Sequence, residues 1–305
     1  MSDTISKNDQ GFLDRYFKLK AKGTNVRTEI IAGITTFVAM AYIIFVNPSI
    51  LKEAGIPVEA AVAATIWSAA LCTIAMGLFA NLPVAMAPGM GLNAFFTFYV
   101  CKTVGLNWET ALGAVFVSGL VFFVLTVTKL RQMIIDAVPM SLKSATVVGI
   151  GMFIAFVGLQ SSNLIVESPA TKITLGTFSD PKVDLALLGV LIIGALLALK
   201  IRAAMLIGIV TVTVIGMIFG VTKAPEGISD VVSFSFPGMG ETFLKMDLVG
   251  AFHYGLISII FTFTIVELFD NIGTLIGVTK AAGLVDKDGK IENCDRALMT
   301  DSVGT

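Results

Sequence analysis

The sequence predicts an all-α polytopic membrane protein, because its composition is too apolar for a soluble fold. Hydrophobic residues make up 55% of the 305 residues, and charged residues make up 14%. An average soluble domain carries about 25% charged residues, which help to cover its surface. The 21 Lys and Arg are matched by 22 Asp and Glu, so the sequence lacks the basic excess of nucleic-acid-binding proteins. We therefore expect a bilayer environment and no nucleic-acid partner.

Eight membrane spans are predicted from charge-poor apolar runs, since a spanning helix needs about 20 mostly apolar residues. The second run is too long for one helix, and Asn81-Leu82-Pro83 divides it into two spans. Asn47-Pro48 is expected to end and cap the first span. The runs are 30–51, 60–101, 110–128, 144–166, 185–199, 203–222 and 248–278.

The distribution of Lys and Arg among the connecting segments predicts the orientation. With eight spans, one side of the membrane carries 15 of these residues, six of them in the N-terminal segment, and the other side carries six. Cytoplasmic loops carry the excess of positive charge. We therefore expect a plasma-membrane protein with a cytoplasmic N-terminus. The three cysteines lack metal-ligand spacing, and no metal or cofactor is expected.

Two acids, Glu267 and Asp270, lie within the last apolar run. A charged group at the bilayer centre costs roughly 2.5–3.5 kcal/mol on insertion scales, so such acids usually face a cavity or the bundle interior. Their spacing of three residues places both on one helical face. The other predicted spans contain no Lys or Arg, so these acids need backbone N–H groups, a ligand, a proton or a segment outside this sequence as partner. The alternative is that they lie near a helix end, in water.

Residues 84–94 combine a proline and two glycines within an apolar segment, a pattern that breaks a membrane helix. We expect a short extended piece and then a half-helix that starts near Met90, with free N–H groups at its positive end and Asn93 one turn in. Discontinuous helices of this kind build substrate sites in secondary transporters. The alternative is a kink for helix packing, in which Asn93 bonds a neighbouring helix. The helix breakers are Pro88, Gly89 and Gly91.

Three segments together carry a family pattern. They are Arg27-Thr28-Glu29-Ile30 with Gly33-Ile34-Thr35-Thr36-Phe37, Ala87-Pro88-Gly89-Met90-Gly91-Leu92-Asn93-Ala94-Phe95-Phe96, and Glu267-Leu268-Phe269-Asp270-Asn271-Ile272-Gly273-Thr274-Leu275-Ile276-Gly277. They resemble the first-, third- and eighth-span motifs of purine permeases, in the adenine/guanine/hypoxanthine (AzgA-like) branch of the nucleobase–cation symporter-2 family. The resemblance covers the chain after residue 12, and Asn271 stands where the family pattern leads us to expect Thr.

The resemblance implies two inverted seven-span repeats that form a core domain and a gate domain, with a short strand and a half-helix in span three. The expected boundaries are a cytoplasmic N-terminal segment at 1–28, core spans one to four at 29–128, gate spans five to seven at 129–222, an extracellular loop at 223–247, core span eight at 248–278, and a cytoplasmic loop with the start of span nine at 279–305.

The resemblance also implies which residues form the site. Asp270 is expected to accept hydrogen bonds from the purine ring, and Asn93 to contact the substrate from span three. The N–H groups near Met86 and Ala87 are expected to face the base. Glu267, together with Asp270, is expected to couple transport to protons.

The spacing of the expected repeats predicts that the chain is truncated at its C-terminus. The first span starts near Glu29 and the broken third span near Val84, an offset of about 55 residues. Counted from Leu248, the second broken span is expected around residue 303, where the sequence ends. The partner half-helix and the second site acid of the family would then have no position here.

We therefore expect a secondary transporter, not an enzyme, that imports adenine, guanine or hypoxanthine by proton symport with alternating access. The nearest alternative is a carrier of the same fold for uracil, xanthine or an inorganic anion. An ion channel and a membrane-embedded enzyme are less favoured, since the acids form no ring of charge and one histidine supplies no catalytic cluster. The preferred purine, the choice between H⁺ and Na⁺, and a homodimer are left open.

Overall fold

The computed structural model describes residues 11–128, 130, 133–134, 139–224, 227, 239–253, 257–283 and 293–304. The helices are α1 (Phe12–Phe17), α2 (Val26–Met40), α3 (Ile43–Lys52), α4 (Val58–Ala75), α5 (Met90–Ala94), α6 (Trp108–Val127), α7 (Met140–Ser161), α8 (Pro181–Ala198), α9 (Ala204–Ile218), α10 (Met239–Thr242), α11 (Leu248–His253), α12 (Ile257–Ala281) and α13 (Cys294–Gly304). Two wider π-helical segments, Met76–Ala80 and Phe95–Thr103, continue α4 and α5.

Four helical segments in the described part of the chain are long and apolar enough to cross a membrane. Large apolar side chains such as Leu71, Val124 and Leu191 remain exposed on them, as lipid-facing surfaces require. The chain is a multi-pass membrane protein; the count of eight spans, the inverted repeat and the orientation stay predictions. The four segments are Val26–Lys52, Val58–Ala80, Trp108–Val127 and Pro181–Ala198.

The break that was predicted in the second apolar run is present. The π-helical end of α4 stops at Ala80, and Asn81 adopts a left-handed conformation with φ of 54°. Residues 81–89 are not helical, and α5 begins at Met90, where the half-helix was expected. Gly89 has extended backbone angles, although residues 81–89 contain no strand. The expected short strand is therefore an extended segment instead.

The described residues are mainly helical, as expected, with one exception that was not predicted: a β-hairpin connects α7 and α8. Strand β1 (Ile165–Ser168) pairs antiparallel with β2 (Lys172–Leu175), with Ile165 opposite Leu175. The fourth apolar run was expected to remain helical to residue 166, but α7 ends at Ser161. Asn163, with φ of 59°, turns the chain away from the helix, and the β-branched residues that follow favour extended backbone.

Two further predicted boundaries change. The first span is divided into α2 and α3 by a short turn at residues 41–42, and Asn47-Pro48 lies inside α3 instead of ending the span. The last apolar run contains α11 and α12, and residues 254–256 between them lie outside the described residues. The predicted loops at 223–247 and 279–305 also lie in part outside them, as does the segment 129–139 at the start of the expected gate domain.

The core packs α12 between the half-helix and α6. Phe263 of α12 is fully buried and meets the Phe95 ring edge-on, with centroids 5.2 Å apart. A buried hydrogen bond of 3.1 Å joins the Ser118 and Thr264 hydroxyls, so α12 is also tied to α6. Further along α12, Leu268 packs against the fully buried Phe122 of α6. These contacts fix the position of the polar face of α12.

Candidate substrate site at the broken helix

The two sequence motifs meet where Asp270 approaches Gly89. A β-carbon added to Gly89 would lie 3.3 Å from Asp270 Oδ2, which is tighter than ordinary van der Waals contact. Because glycine has no side chain, the carboxylate approaches the backbone just before α5 begins at Met90. The structure therefore brings the expected span-eight acid to the start of the expected span-three half-helix.

The acids of α12 lie well inside the helix and not at its end. Asp270 and Glu267 are both half-buried, within a helix that runs from Ile257 to Ala281. The alternative in which they sit in water at a helix end therefore does not hold. Thr274, which adds polarity nearby, donates its hydroxyl to the Asp270 backbone carbonyl at 2.6 Å.

Asn271, the departure from the family pattern, contacts the second acid. Its Nδ2 donates to Glu267 Oε1 at 3.0 Å, one helical turn away on the same helix. This amide therefore holds one oxygen of Glu267, which the shorter side chain of Thr would not reach in the same way. The roles of Glu267 and Asp270 in proton coupling stay predictions.

Asn93 is part of a chain of side-chain hydrogen bonds that reaches from α5 to α4. Its Nδ2 donates to Asn47 Oδ1 in α3. Asn47 Nδ2 donates to Thr65 Oγ1 at 2.8 Å, and Thr65 donates to the Ala61 carbonyl at 2.6 Å. The alternative in which Asn93 bonds a neighbouring helix thus holds for its amide nitrogen. Its role in substrate binding stays a prediction.

The Met86 amide is engaged within the protein. Met86 N–H donates to Thr73 Oγ1 at 2.9 Å, and this hydroxyl lies 3.2 Å from the Met86 carbonyl oxygen. The extended segment is therefore held against α4. The Met86 N–H was expected to face the substrate, but it bonds Thr73 instead. Ala87 is exposed, and the expectation that its N–H faces the base stays a prediction.

Sequence reasoning missed the hydrogen-bonding residues that support the half-helix. Asn47 was interpreted as a helix cap, and Thr65 and Thr73 were not singled out. The available signal was that all three are polar residues in apolar membrane segments. Such groups need a partner, because lipid offers none.

The extended segment borders a largely apolar cavity, and the half-helix that follows it contacts the expected gate domain. A cavity of about 450 Å³ lies between α2, α3, α4 and residues 82–85, and Thr65 and Thr73 are among the polar residues that line it. Helix α7, the first helix of the expected gate, contacts both α5 and α12. The half-helix and the acidic helix α12 therefore both contact a helix of the expected gate domain.

Comparison with known proteins identifies the family. A sequence profile described as "Permease family" matches residues 27–305. A putative permease of Methanocaldococcus jannaschii is 48% identical over 295 residues, which is 96% of this chain and 66% of the relative. The adenine permease AdeP of Escherichia coli is 42% identical, over 99% of this chain and 67% of the relative. The guanine/hypoxanthine permease PbuO of Bacillus subtilis is 39% identical, over 95% and 67%.

The matches extend over nearly the whole chain, which spans about two thirds of the length of these relatives. They include both segments that meet at the site, the broken span and the acidic helix. The chain therefore belongs to this permease family, as the resemblance of its motifs predicted.

Proposed function

We propose that this chain carries the substrate site of a transporter that imports purine nucleobases, adenine, guanine or hypoxanthine, by cation symport with alternating access. The observation that carries the proposal is the approach of the Asp270 carboxylate to Gly89, at the start of the half-helix. The names of the relatives, adenine permease and guanine/hypoxanthine permease, support the purine as substrate. The same family membership supports a transporter and argues against an enzyme.

The chemistry of the site suits a purine ring. A purine is flat and apolar on its faces, and its edge carries ring N–H donors. An ionised Asp270 has only acceptor oxygens, so it accepts a hydrogen bond from a ring N–H. The Gly89 backbone lies against this carboxylate with no side chain to shield it. A hydrogen bond from a neutral donor to a charged acceptor contributes about 1.5–3 kcal/mol, enough to select a ring that offers the donor.

We propose that the coupling ion is a proton, exchanged at Glu267 or Asp270. Both acids are half-buried in a membrane helix, where ionisable groups typically mark ion or proton pathways. Helix α7 contacts the half-helix and α12, so a movement of the gate would expose the acids to each side in turn. We propose further that the N-terminus is cytoplasmic, in the plasma membrane, since the positive-inside count favours that side.

The test is uptake of labelled hypoxanthine, guanine and adenine by cells that lack purine transport. We would express the chain and, in parallel, the complete reading frame that encodes it. Asp270→Asn is expected to reduce saturable uptake by about ten- to a hundredfold, because the carboxylate acceptor is lost. Asp184→Asn, an exposed acid in the first turn of α8, is the matched control and is expected to leave uptake unchanged.

Each outcome of the uptake assay discriminates between functions. Uptake of uracil or xanthine in place of these purines would move the assignment to another solute on the same fold. Full purine uptake by Asp270→Asn would contradict the site. A proton ionophore is expected to abolish uptake, whereas removal of Na⁺ is expected to leave it intact; the reverse result would replace the proton by Na⁺.

A further inference from the structure

The direction of each hydrogen bond in the chain Asn93–Asn47–Thr65 follows from its buried end. Thr65 is 2% exposed and donates its hydroxyl hydrogen to the Ala61 carbonyl at 2.6 Å. The hydroxyl oxygen can then only accept, so the group of Asn47 that faces it must be the NH₂. Asn47 Oδ1 consequently faces Asn93, and the group of Asn93 that faces Asn47 must be its NH₂.

Reversal of either amide would be unfavourable. With Asn47 reversed, its Oδ1 would face the Thr65 oxygen, whose hydrogen is already engaged, and two acceptors would meet in a buried place. Asn47 is 3% exposed, so water does not relieve such a contact. A buried polar group without a partner costs about 1–3 kcal/mol, which favours one orientation of the whole chain over the other.

We propose that Asn47 and Thr65 are positioning residues that hold Asn93 with its carbonyl oxygen available to the substrate. The inference rests on the proposed function of this site. Asn93 lies in the first turn of the half-helix, where its N–H donates to the Gly89 carbonyl at 3.1 Å, and Gly89 adjoins the Asp270 carboxylate. The site then presents two acceptors, Asn93 Oδ1 from the half-helix and the Asp270 carboxylate from α12, which adjoins the start of that half-helix at Gly89.

Two acceptors select a ligand with two N–H donors on its edge. Hypoxanthine carries such donors at ring positions 1 and 9, and methylation of either nitrogen removes one. If one donor bonds Asp270 and the other bonds Asn93, each methylation carries its own affinity penalty. Only the penalty at the donor that faces Asn93 depends on the orientation set by Thr65.

The experiment measures competition by hypoxanthine, 1-methylhypoxanthine and 9-methylhypoxanthine against labelled hypoxanthine, on membranes that contain the chain. In Thr65→Val, the acceptor that orients Asn47 is lost and both amides can reverse. We expect the loss of affinity that one of the two methylations causes to become about fivefold smaller or more, while the loss caused by the other methylation is retained. Thr65→Ser keeps the hydroxyl and is expected to retain both penalties within twofold.

Two additional variants separate positioning from a merely structural role. Thr126→Val in α6 removes a hydroxyl that donates to the Phe122 carbonyl of its own helix, and is expected to retain both penalties. In Asn47→Asp, the carboxyl offers Asn93 an acceptor in either protonation state, so both penalties should again be retained even if the protein becomes less stable.

The results that would contradict this inference differ from the result that would contradict the proposed function. If Thr65→Val binds hypoxanthine with both penalties unchanged, or if it weakens all three ligands equally, Thr65 does not orient Asn93. Loss of one penalty in Asn47→Asp would also contradict the inference. If the wild-type chain and the complete gene product bind no purine, the proposed function itself is wrong and this inference is wrong with it.

Discussion

The broken helix and the helical pair α8–α9 both depend on glycine, but for different purposes. At Gly89 the missing side chain gives a carboxylate access to the backbone, with Asp270 Oδ2 3.3 Å from an added β-carbon. At Gly208 it gives room to an apolar side chain, since an added β-carbon would lie 2.2 Å from Ile193 Cγ1. The first glycine leaves space for a carboxylate at the candidate site, and the second lets two membrane helices approach closely.

The polar side chains differ between the two regions in the same way. Around the broken helix, side-chain hydrogen bonds connect different helices, from Asn93 to Asn47 and from Ser118 to Thr264. In the α8–α9 pair, the Thr213 hydroxyl donates to the carbonyl of Ile209 in its own helix. The region that holds the acids is therefore organised by directional contacts, and the α8–α9 pair by shape. Substitutions should change ligand recognition in the first region and stability in the second.

Among the glycine substitutions, the largest effect on transport is expected from Gly89→Ala. The added β-carbon would press on the Asp270 carboxylate, which must move by a few tenths of an ångström. Its hydrogen bond to the substrate would lengthen, and since a bond to a charged group contributes about 1.5–3 kcal/mol, we expect purine uptake to fall about tenfold. The measurement is the initial rate of labelled hypoxanthine uptake, normalised to the amount of protein in the membrane.

The matched control for this change is Gly194→Ala in α8. An added β-carbon at Gly194 meets nothing within 4 Å, so uptake should stay at the wild-type rate. Equal uptake by Gly89→Ala and Gly194→Ala would show that the approach of Asp270 to Gly89 does not matter for transport. The distinction between a recognition region and a packing region would then fail.

A smaller effect, on stability, is expected from Gly208→Ala. The new β-carbon would overlap Ile193, which has to adopt another rotamer, and overpacking of this kind costs about 1–3 kcal/mol. We expect a lower midpoint of thermal unfolding in detergent, with unchanged relative affinities for hypoxanthine and adenine. Gly194→Ala again serves as the control. A changed preference between the purines would place α8–α9 in the recognition region and contradict the comparison.

The sequence predicted the features that depend on local chemistry. The helix ends at Ala80 and restarts at Met90 because proline and glycine interrupt an apolar run. These residues disfavour a continuous helix in any membrane. The position of Asp270 inside a helix follows from its place in a long apolar segment. These are properties of short stretches of sequence, and the family resemblance gave the reason why the two stretches meet.

The features that the sequence did not predict depend on contacts between distant segments. Asn47 accepts a hydrogen bond from Asn93, and Thr73 accepts one from the Met86 amide. Both contacts depend on how α3 and α4 pack against the broken segment. The hairpin after α7 was missed because Ile165 and Val166 are apolar, and an apolar residue extends a membrane run and a strand equally well. Packing, and not the residue type, settled these cases.

The smallest expected effect tests the border between the hairpin and α8. Asp180 caps α8: its Oδ1 accepts from the Lys182 N–H at 2.9 Å, and its Oδ2 accepts from Asn163 Nδ2 at 3.3 Å. The backbone N–H of Lys182, followed by the Asn163 amide, holds the pKa of Asp180 below its ordinary value. The folded pKa is thus below the unfolded one, so the contribution of this cap is present above the unfolded pKa and is lost as pH falls through the folded pKa.

We therefore expect acidification from about pH 5 to about pH 3 to lower the unfolding temperature more in the wild type than in Asp180→Asn. Asparagine is as good an N-cap as aspartate and has no carboxyl to titrate, so it keeps the cap over this range. The difference should be small, because Asp180 is partly exposed to water, and hypoxanthine affinity at neutral pH should be the same in both proteins. An identical acid response would mean that the cap does not stabilise α8. A change in affinity would mean that this border contributes to recognition as well.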